Sequence, residues 1–348
     1  MIETVVSLNF PVEEKLCIRK QRILPAGYTE KNDLSGLKRF SVVTGTHGDE
    51  LEGQYVCYEV SRILQENTDK LNGIVDIYPA LNPLGIDSIE RGIPGFDLDM
   101  NRIFPGSRNG SMAEHAAACI LEDLTGSDMV IDIHASNLYL TEIPQARISE
   151  VFAEELIPYA KQLNIDFIWV HSASTVLEST LAHSLNQRNT PTLVVEMGIG
   201  LRLTQAYTKQ LTAGIFSLMK YMGIWEGESI APRKPLISDD NDDVEFLNAP
   251  VSGVFIQHME HNSFVRQGEV IGEIVDPLRG ESLCAVTSKC SGVIFTLRDF
   301  PMVDEGSLVG RILREEAIEP DVLEIYRSRG ARRVSSLDLA RYRGGEEA

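Results

Sequence analysis

Three apolar stretches of this 348-residue chain each lead to a residue that can bind a metal ion or carry a proton. The first runs into a glycine-containing turn that holds His47 and Glu50. The second ends at His134 and the third at Glu196. A histidine or carboxylate that closes a buried strand is costly unless it is paired or bound to a metal. These four side chains are therefore candidates for one metal site.

Two histidines and one carboxylate form a ligand set that hydrolytic zinc sites use, with the fourth position left for water. Zinc in such a site lowers the pKa of its water to about 7 and polarises a carbonyl group. A separate carboxylate must take the proton of the water and pass it to the leaving nitrogen. Glu196 is the candidate for this general base. Taken alone, His47 and Glu50 also fit a polar turn with a helix-capping carboxylate.

Asp132 lies two residues before His134, so both side chains point to the same face of a strand. Its carboxylate can therefore orient the histidine ring from behind. An ordinary hydrogen bond at the strand end explains an aspartate in this position equally well.

A long segment without clear periodicity, residues 82–110, supplies three further candidates. Loops longer than about 12–15 residues are uncommon in compact domains unless they are functional or disordered. Arg91 can stabilise the oxyanion that develops on an attacked carbonyl. Arg102, next to Asn101, can hold a substrate carboxylate through two hydrogen bonds. For each arginine, a solvated or structural salt bridge is the alternative.

Strand and helix patterns alternate through the first two thirds of the chain. Such alternation is typical of an α/β fold with a largely parallel sheet covered by helices on both faces. Open sheets of this kind hold their ligands at the carboxyl ends of the strands. Strands are predicted at 4–8, 15–23, 38–44, 73–81, 128–133, 166–170 and 192–196, and helices at 52–67, 111–124, 149–163, 175–188 and 203–222.

The composition changes after residue 226. Residues 1–226 are predicted to form a catalytic domain, and residues 227–246, which contain two prolines and an acidic run, a linker. Two copies of a glycine-punctuated pattern predict a small β domain at 247–314. Residues 315–348 are predicted to be a helical or mobile tail.

The β domain resembles the lipoyl/biotinyl-like barrel-sandwich domains. A carrier domain of that kind presents a modifiable lysine on the hairpin between its repeats. The hairpin here, residues 276–281, contains no lysine, and Lys289 lies in the second copy instead. A carrier function is therefore disfavoured, and packing against the catalytic domain or shaping of the cleft mouth is favoured.

The overall composition excludes several classes of partner. A net charge of −19, from 32 basic and 51 acidic residues, argues against nucleic acid or an anionic membrane, because both need a basic face. Five cysteines without a CxxC pair favour a reduced, cytoplasmic setting. We expect no signal peptide and no membrane-spanning segment, since no apolar run reaches about 18 residues. The subunit count stays open, a homo-oligomer included.

A set of short motifs follows in fixed order along the chain. They are Thr46-His47-Gly48-Asp49-Glu50, Asn82-Pro83-Leu84-Gly85, Arg91 with Asp99-Met100-Asn101-Arg102-Ile103-Phe104-Pro105-Gly106, Asp132-Ile133-His134 and Val195-Glu196. Together they resemble the succinylglutamate desuccinylase/aspartoacylase family of the zinc carboxypeptidase-like superfamily. The resemblance runs through roughly residues 40–200, and the β repeat is similar to the usual C-terminal domain of that family. Met100 stands where the family typically has Leu, a near-isosteric change.

This resemblance implies a zinc carboxypeptidase-like fold, with a mixed, mostly parallel sheet sandwiched by helices. It also implies one zinc ion per chain. The zinc ligands that it implies are His47, Glu50 and His134. The other implied roles are Glu196 as general base, Arg91 as the carbonyl-polarising group, and Asn101 with Arg102 as the carboxylate clamp.

We therefore expect a zinc-dependent amidohydrolase that removes the acyl group from a small N-acyl amino acid or a related N-acylated amine. The substrate is expected to bear a carboxylate, and no pocket signature identifies its acyl group or amine. A metallocarboxypeptidase acting on short peptides would use the same atoms. A non-catalytic metal- or ligand-binding protein and a carrier protein are the remaining alternatives.

Overall fold

The structure, a computed structural model, describes residues 1–96, 98–172, 178–239 and 241–330. The chain folds into two units. The N-terminal unit comprises residues 1–138 and 142–241, and the C-terminal unit comprises residues 139–141 and 242–330. The candidate site residues all belong to the N-terminal unit.

A mixed sheet runs through the N-terminal unit. Its strands are β1 (Ile2–Asn9), β2 (Lys15–Ile23), β3 (Arg39–Thr44), β4 (Ile74–Tyr78), β5 (Met129–His134), β6 (Leu140–Ser149), β7 (Phe167–His171), β8 (Thr192–Gly198) and β9 (Leu236–Ser238). They lie in the order β1-β2-β4-β3-β5-β8-β6-β7-β9. The central strands β4, β3, β5 and β8 run parallel, whereas β6 runs antiparallel to β8. The carboxyl ends of β3, β5 and β8 therefore meet at one edge.

Helices cover both faces of this sheet, as expected for a mixed α/β fold. On one face, an apolar core joins the sheet to α1 (Glu52–Glu66), α4 (Ala153–Ala160) and α6 (Gln205–Tyr221). On the other face, a second core joins it to α3 (Met112–Leu124) and α5 (Leu181–Asn186). Val130 belongs to the second core, so Asp132 and His134 point to the face of α3 and α5. The mixed α/β fold predicted from the sequence is confirmed.

The C-terminal unit contains two antiparallel sheets around one apolar core. Its elements are β10 (Val244–Asn248), β11 (Gly253–Gln257), β12 (Ser263–Val265), β13 (Val270–Asp276), β14 (Glu281–Thr287), β15 (Gly292–Arg298), β16 (Met302–Val303), β17 (Leu308–Arg314) and a helix at Pro320–Arg329. The two copies of the repeat begin at β11 and β15. Because β11 pairs with β16 and β15 pairs with β12, each copy exchanges a short strand with the other.

Several elements differ from the sequence prediction. Residues 82–110 are not without structure, because they contain a helix, α2 (Pro83–Ser88), and a 3-10 turn at Met100–Arg102. The prediction had no strand at β6 and began a helix at 149, whereas α4 begins at Ala153. The segment 227–246, expected to be a linker, contains the sheet strand β9 and the first residues of β10.

The helix predicted at 175–188 is shorter, since α5 spans Leu181–Asn186, and residues 175–177 lie outside the described residues. In the expected tail, a helix spans Pro320–Arg329, and residues 331–348 lie outside the description. Within the part of the chain that the structure describes, no helix combines the length and apolarity needed to cross a membrane.

Candidate metal and catalytic site

The turn after β3 carries His47 and Glu50. Gly45 opens the turn with a φ of 69°, a conformation that L side chains rarely adopt. Gly48 lies so close to α2 that a β-carbon there would be 2.0 Å from the backbone carbon of Gly85. These two glycines let the turn fold back against α2, and both functional side chains lie buried at the carboxyl edge of the sheet.

Two imidazoles meet on the carboxylate of Glu50. His47 Nδ1 lies 2.7 Å from Glu50 Oε1, and His134 Nδ1 lies 2.9 Å from Glu50 Oε2. The centroids of the two imidazole rings are 5.0 Å apart. The ligand atoms of the three residues lie within 4.8 Å of one another, so a single metal ion can contact all three.

Each imidazole faces a second carboxylate through its other nitrogen. His47 Nε2 lies 3.0 Å from Asp99 Oδ1, and His134 Nε2 lies 3.2 Å from Asp132 Oδ2. Metal-binding histidines are commonly arranged in this way, because the outer carboxylate fixes the ring and raises the basicity of the ligand nitrogen. The two Nδ1 atoms and the Glu50 carboxylate are thus a donor set that fits a zinc ion.

The electrostatics of this group favour a bound cation. Burial alone would lower the pKa of each imidazole, but Asp99 and Glu50 outweigh burial at His47, and Asp132 and Glu50 do so at His134, so both pKa values are raised. Burial would raise the pKa of Glu50, yet the two histidines hold it below its usual value. The carboxylates of Glu50, Asp99 and Asp132 therefore favour positive charge at this centre.

Glu196 lies on β8, in register with His134 on the parallel neighbour β5. Paired residues of neighbouring strands point to the same face, and the strands are about 4.8 Å apart. The Glu196 carboxylate therefore stands beside the histidine–glutamate group. Burial raises the pKa of its carboxyl, Arg147 partly offsets this, and Glu142 raises it again. A carboxyl with a raised pKa is suited to accept a proton and return it.

Arg91 reaches the same centre from the segment after α2. Its Nη1 lies 2.9 Å from Glu50 Oε1, and its Nη2 lies 3.4 Å from Asp99 Oδ2. The side chain is 41% exposed, so the guanidinium borders both the buried group and the open side. A fixed cation in this position can stabilise negative charge that develops on a carbonyl oxygen.

Asn101 and Arg102 form the 3-10 turn that follows Asp99. Asn101 Oδ1 accepts a hydrogen bond of 2.9 Å from the backbone N–H of Leu181, which leaves its Nδ2 as a donor. Arg102 is exposed, and its Nη1 donates to the backbone carbonyl of Asn101 at 2.8 Å. Among the described residues Arg102 has no ion-pair partner. The turn thus presents a cation and an amide donor side by side, which suits a carboxylate.

Three polar residues at the site have contacts that the sequence pattern did not indicate. Asp99 contacts His47, and the available signal was its position in the motif that ends at Arg102. Glu142 and Arg147 lie on β6, where Arg147 Nη2 donates to both Glu142 oxygens at 2.8 Å. Apolar and polar residues alternate only over residues 145–149 of this strand, and Pro144 interrupts it, so the sequence signal for a strand is short.

A mixed α/β sheet whose edge carries a buried histidine–glutamate–histidine group is an architecture that can hold a metal ion. The chain belongs to the succinylglutamate desuccinylase/aspartoacylase family. The family model described as the succinylglutamate desuccinylase/aspartoacylase catalytic domain matches residues 37–222, more than half of the chain. This match confirms the resemblance carried by the motifs.

One relative is the N-alpha-acetyl-L-2,4-diaminobutyric acid deacetylase of Halomonas elongata, 26% identical over 276 residues, which are 77% of this chain and 80% of the relative. A succinylglutamate desuccinylase/aspartoacylase structure from Rhodobacter sphaeroides has a TM-score of 0.73 at 20% identity, covering 90% of this chain and 95% of that one. The product-bound ectoine utilization protein EutE (DoeB) from Ruegeria pomeroyi has a TM-score of 0.73 at 18% identity, covering 89% and 94%. The two structures show that this chain shares their fold.

Proposed function

We propose that this protein is a zinc-dependent deacylase that hydrolyses the amide bond of a small N-acyl amino acid. The observation that carries the proposal is the convergence of two imidazole Nδ1 atoms on Glu50, with Glu196 in register with His134 on the next strand. The three ligand residues would hold one zinc ion. The relative from Halomonas elongata is named as a deacetylase of an N-acetylated amino acid, which supports this reaction class.

The residues around the proposed zinc position have different roles in amide hydrolysis. A bound zinc ion supplies Lewis acidity, which polarises the carbonyl and lowers the pKa of a water molecule. Glu196 takes one proton from the attacking water and later gives it to the departing nitrogen. Arg91 donates to the oxygen on which negative charge develops. The bond between the carbonyl carbon and nitrogen breaks. Both protons of the water end on the departing nitrogen, so the products are a carboxylate and an ammonium group.

The substrate that we propose carries a carboxylate next to the scissile amide. Arg102 offers a guanidinium without an ion-pair partner among the described residues, and Asn101 offers Nδ2 beside it. An α-carboxylate of an N-acyl amino acid can accept from both groups. The substrate in the name of the Halomonas elongata relative has such a carboxylate, and N-acetyl amino acids are therefore the first candidates.

The test is a hydrolysis assay with purified, zinc-loaded protein. N-acetyl and N-succinyl amino acids, including N-α-acetyl-diaminobutyrate and N-acetyl-aspartate, are compared with unblocked dipeptides. Release of amine from the N-acyl substrates, abolished by a chelator and restored by zinc, supports the proposal. Turnover of dipeptides alone would assign the site to a metallocarboxypeptidase. Stoichiometric zinc without any turnover would indicate a binding protein.

We also propose a lipoyl-like barrel-sandwich without a carrier function for the C-terminal unit. The exchange of short strands between its two repeats supports the barrel-sandwich, and the hairpin between β13 and β14 contains no lysine to modify. All five cysteines are free, which supports the reduced, cytoplasmic setting expected from the composition.

A further inference from the structure

Among the ion pairs of the described residues, the Glu196 carboxylate has one partner that is not a proposed zinc ligand. Arg147 Nη1 lies 3.5 Å from Glu196 Oε1. Arg147 is on β6, where it pairs with Val194, two residues before Glu196 on β8. The two side chains therefore point to the same face of the sheet. Arg147 thus approaches the carboxylate from the side of β6, whereas His134 flanks it from β5.

Arg147 is itself held in place. Its Nη2 donates to both oxygens of Glu142 at 2.8 Å, and the Glu142 side chain is 1% exposed. The guanidinium carbon also lies 5.9 Å from the ring centre of Trp169 on β7, a cation–π distance. A guanidinium fixed by a buried carboxylate and an aromatic ring can hold a further group with little motion of its own.

The distances indicate how the charge of Arg147 is shared. Arg147 Nη2 lies 2.8 Å from the Glu142 carboxylate, which is hydrogen-bonding distance, whereas Arg147 Nη1 lies 3.5 Å from Glu196 Oε1. Arg147 therefore forms its stronger ion pair with Glu142. At 3.5 Å from Oε1, the guanidinium can orient the Glu196 carboxylate, and it weakens the carboxylate as a base less than a tight ion pair would.

We propose that Arg147, anchored by Glu142, is a positioning residue for the general base Glu196. It holds Oε1 of the carboxylate and leaves Oε2 to take the proton of the attacking water and return it to the leaving nitrogen. This inference rests on the proposed function, because it needs Glu196 to act as the base.

The experiment compares Arg147→Ala and Arg147→Lys with wild type as zinc-loaded proteins. We expect Arg147→Ala to lower kcat by about 10²-fold, the cost of misplacing a reacting group by about 1 Å. KM and zinc content should stay within about twofold of wild type, because Arg147 is assigned no substrate or metal contact. Added guanidinium ion should restore part of the lost kcat, and Arg147→Lys should be intermediate.

Glu142→Gln tests the anchor in the same assay. It should lower kcat in wild type but add little in the Arg147→Ala background, since the two residues act as one unit. Arg233→Ala is the matched control, because Arg233 Nη1 donates to the buried Asp166 at 2.6 Å within the same unit. Its kcat should match that of wild type.

The outcomes separate this inference from the proposed function. An active wild type whose kcat is unchanged in Arg147→Ala overturns the positioning role and leaves the deacylase standing. A rise in KM at constant kcat overturns it too, since Arg147 would then contact the substrate. If Arg147→Ala does not fold, Arg147→Lys decides, and wild-type kcat in that variant rejects the role. A wild type that hydrolyses no N-acyl amino acid refutes the proposed function itself.

Discussion

Glu196 and His134 occupy paired positions on the neighbouring parallel strands β8 and β5. The proposed base and a proposed zinc ligand are therefore held side by side by the hydrogen bonds of the sheet, not by a loop. Because a displacement of about 1 Å can cost about 10²-fold in rate, a rigid support of this kind favours catalysis. The proposed ligands His47 and Glu50 come from a turn that packs against α2 at Gly48, which is a second fixed support.

Glu196→Gln tests the base. The amide keeps the shape of the side chain but cannot take a proton at neutral pH, so we expect kcat to fall by about 10²–10⁴-fold. Zinc content should remain that of wild type, since Glu196 is not a proposed ligand. Steady-state kinetics and elemental analysis measure the two quantities. Glu155→Gln, at an exposed position of α4, is the control, and a wild-type kcat in Glu196→Gln would exclude the base role.

His134→Ala tests the metal. Removal of one of three protein ligands should strip most of the zinc, and turnover should be lost with it. Zinc per chain is measured after dialysis against a weak chelator. His115→Ala serves for comparison, because that imidazole hydrogen-bonds the backbone carbonyl of Arg108 and should not affect zinc content. Full zinc occupancy in His134→Ala would reject the ligand assignment.

Arg102→Ala tests the carboxylate clamp. We expect KM for an N-acetyl amino acid to rise by about tenfold or more, because a charge-assisted hydrogen bond is lost, while kcat changes less. The same acetyl compound with its carboxylate converted to a carboxamide provides the second arm. Wild type should discriminate against the carboxamide and Arg102→Ala should not. Equal discrimination by both proteins would place the clamp elsewhere, and Arg62→Ala, exposed on α1, is the control.

The strand ends were predictable from the sequence, and the contacts across the fold were not. An apolar run that closes on His134 or Glu196 marks the edge of a sheet, because burial there needs a partner. Asp99 meets His47 from 52 residues away, and no spacing rule within a loop specifies such a partner. β6 alternates apolar and polar residues only after Pro144, because the first half of the strand buries Glu142 and pairs irregularly with β8.

Asp76→Ala tests a buried ion-pair group at Lys20 and Arg22, which is independent of the proposed chemistry. The Lys20 side chain is 2% exposed and that of Asp76 is 0% exposed, and Arg22 Nη2 lies 2.7 Å from Asp76 Oδ2. Removal of Asp76 leaves Asp123 as the close partner of Lys20 and Glu3 as that of Arg22, so the loss of unfolding free energy should approach but not exceed the about 3–5 kcal/mol of a fully broken buried pair. Urea denaturation measures this loss. The exposed Glu30→Ala should change stability by less than about 0.5 kcal/mol, and a loss as small in Asp76→Ala would contradict the prediction.

Asp99 is expected to support the zinc site through His47. Its Oδ1 lies 3.0 Å from His47 Nε2 and also accepts a hydrogen bond of 2.8 Å from the backbone N–H of Asn101. Loss of such an outer carboxylate typically lowers metal affinity by about 10–100-fold. We therefore expect Asp99→Ala to weaken zinc binding by this amount, measured by competition with a chelating dye. The exposed Asp87→Ala should bind zinc as wild type does.

Asp99→Asn separates the two contacts of that carboxylate. The asparagine keeps an oxygen for the backbone N–H of Asn101 but loses the negative charge that supports His47. Zinc affinity should therefore fall in both variants, whereas KM for the N-acyl substrate should rise more in Asp99→Ala, where the turn that carries Asn101 and Arg102 loses its cap. Wild-type zinc affinity in both variants would show that the imidazole is oriented without Asp99.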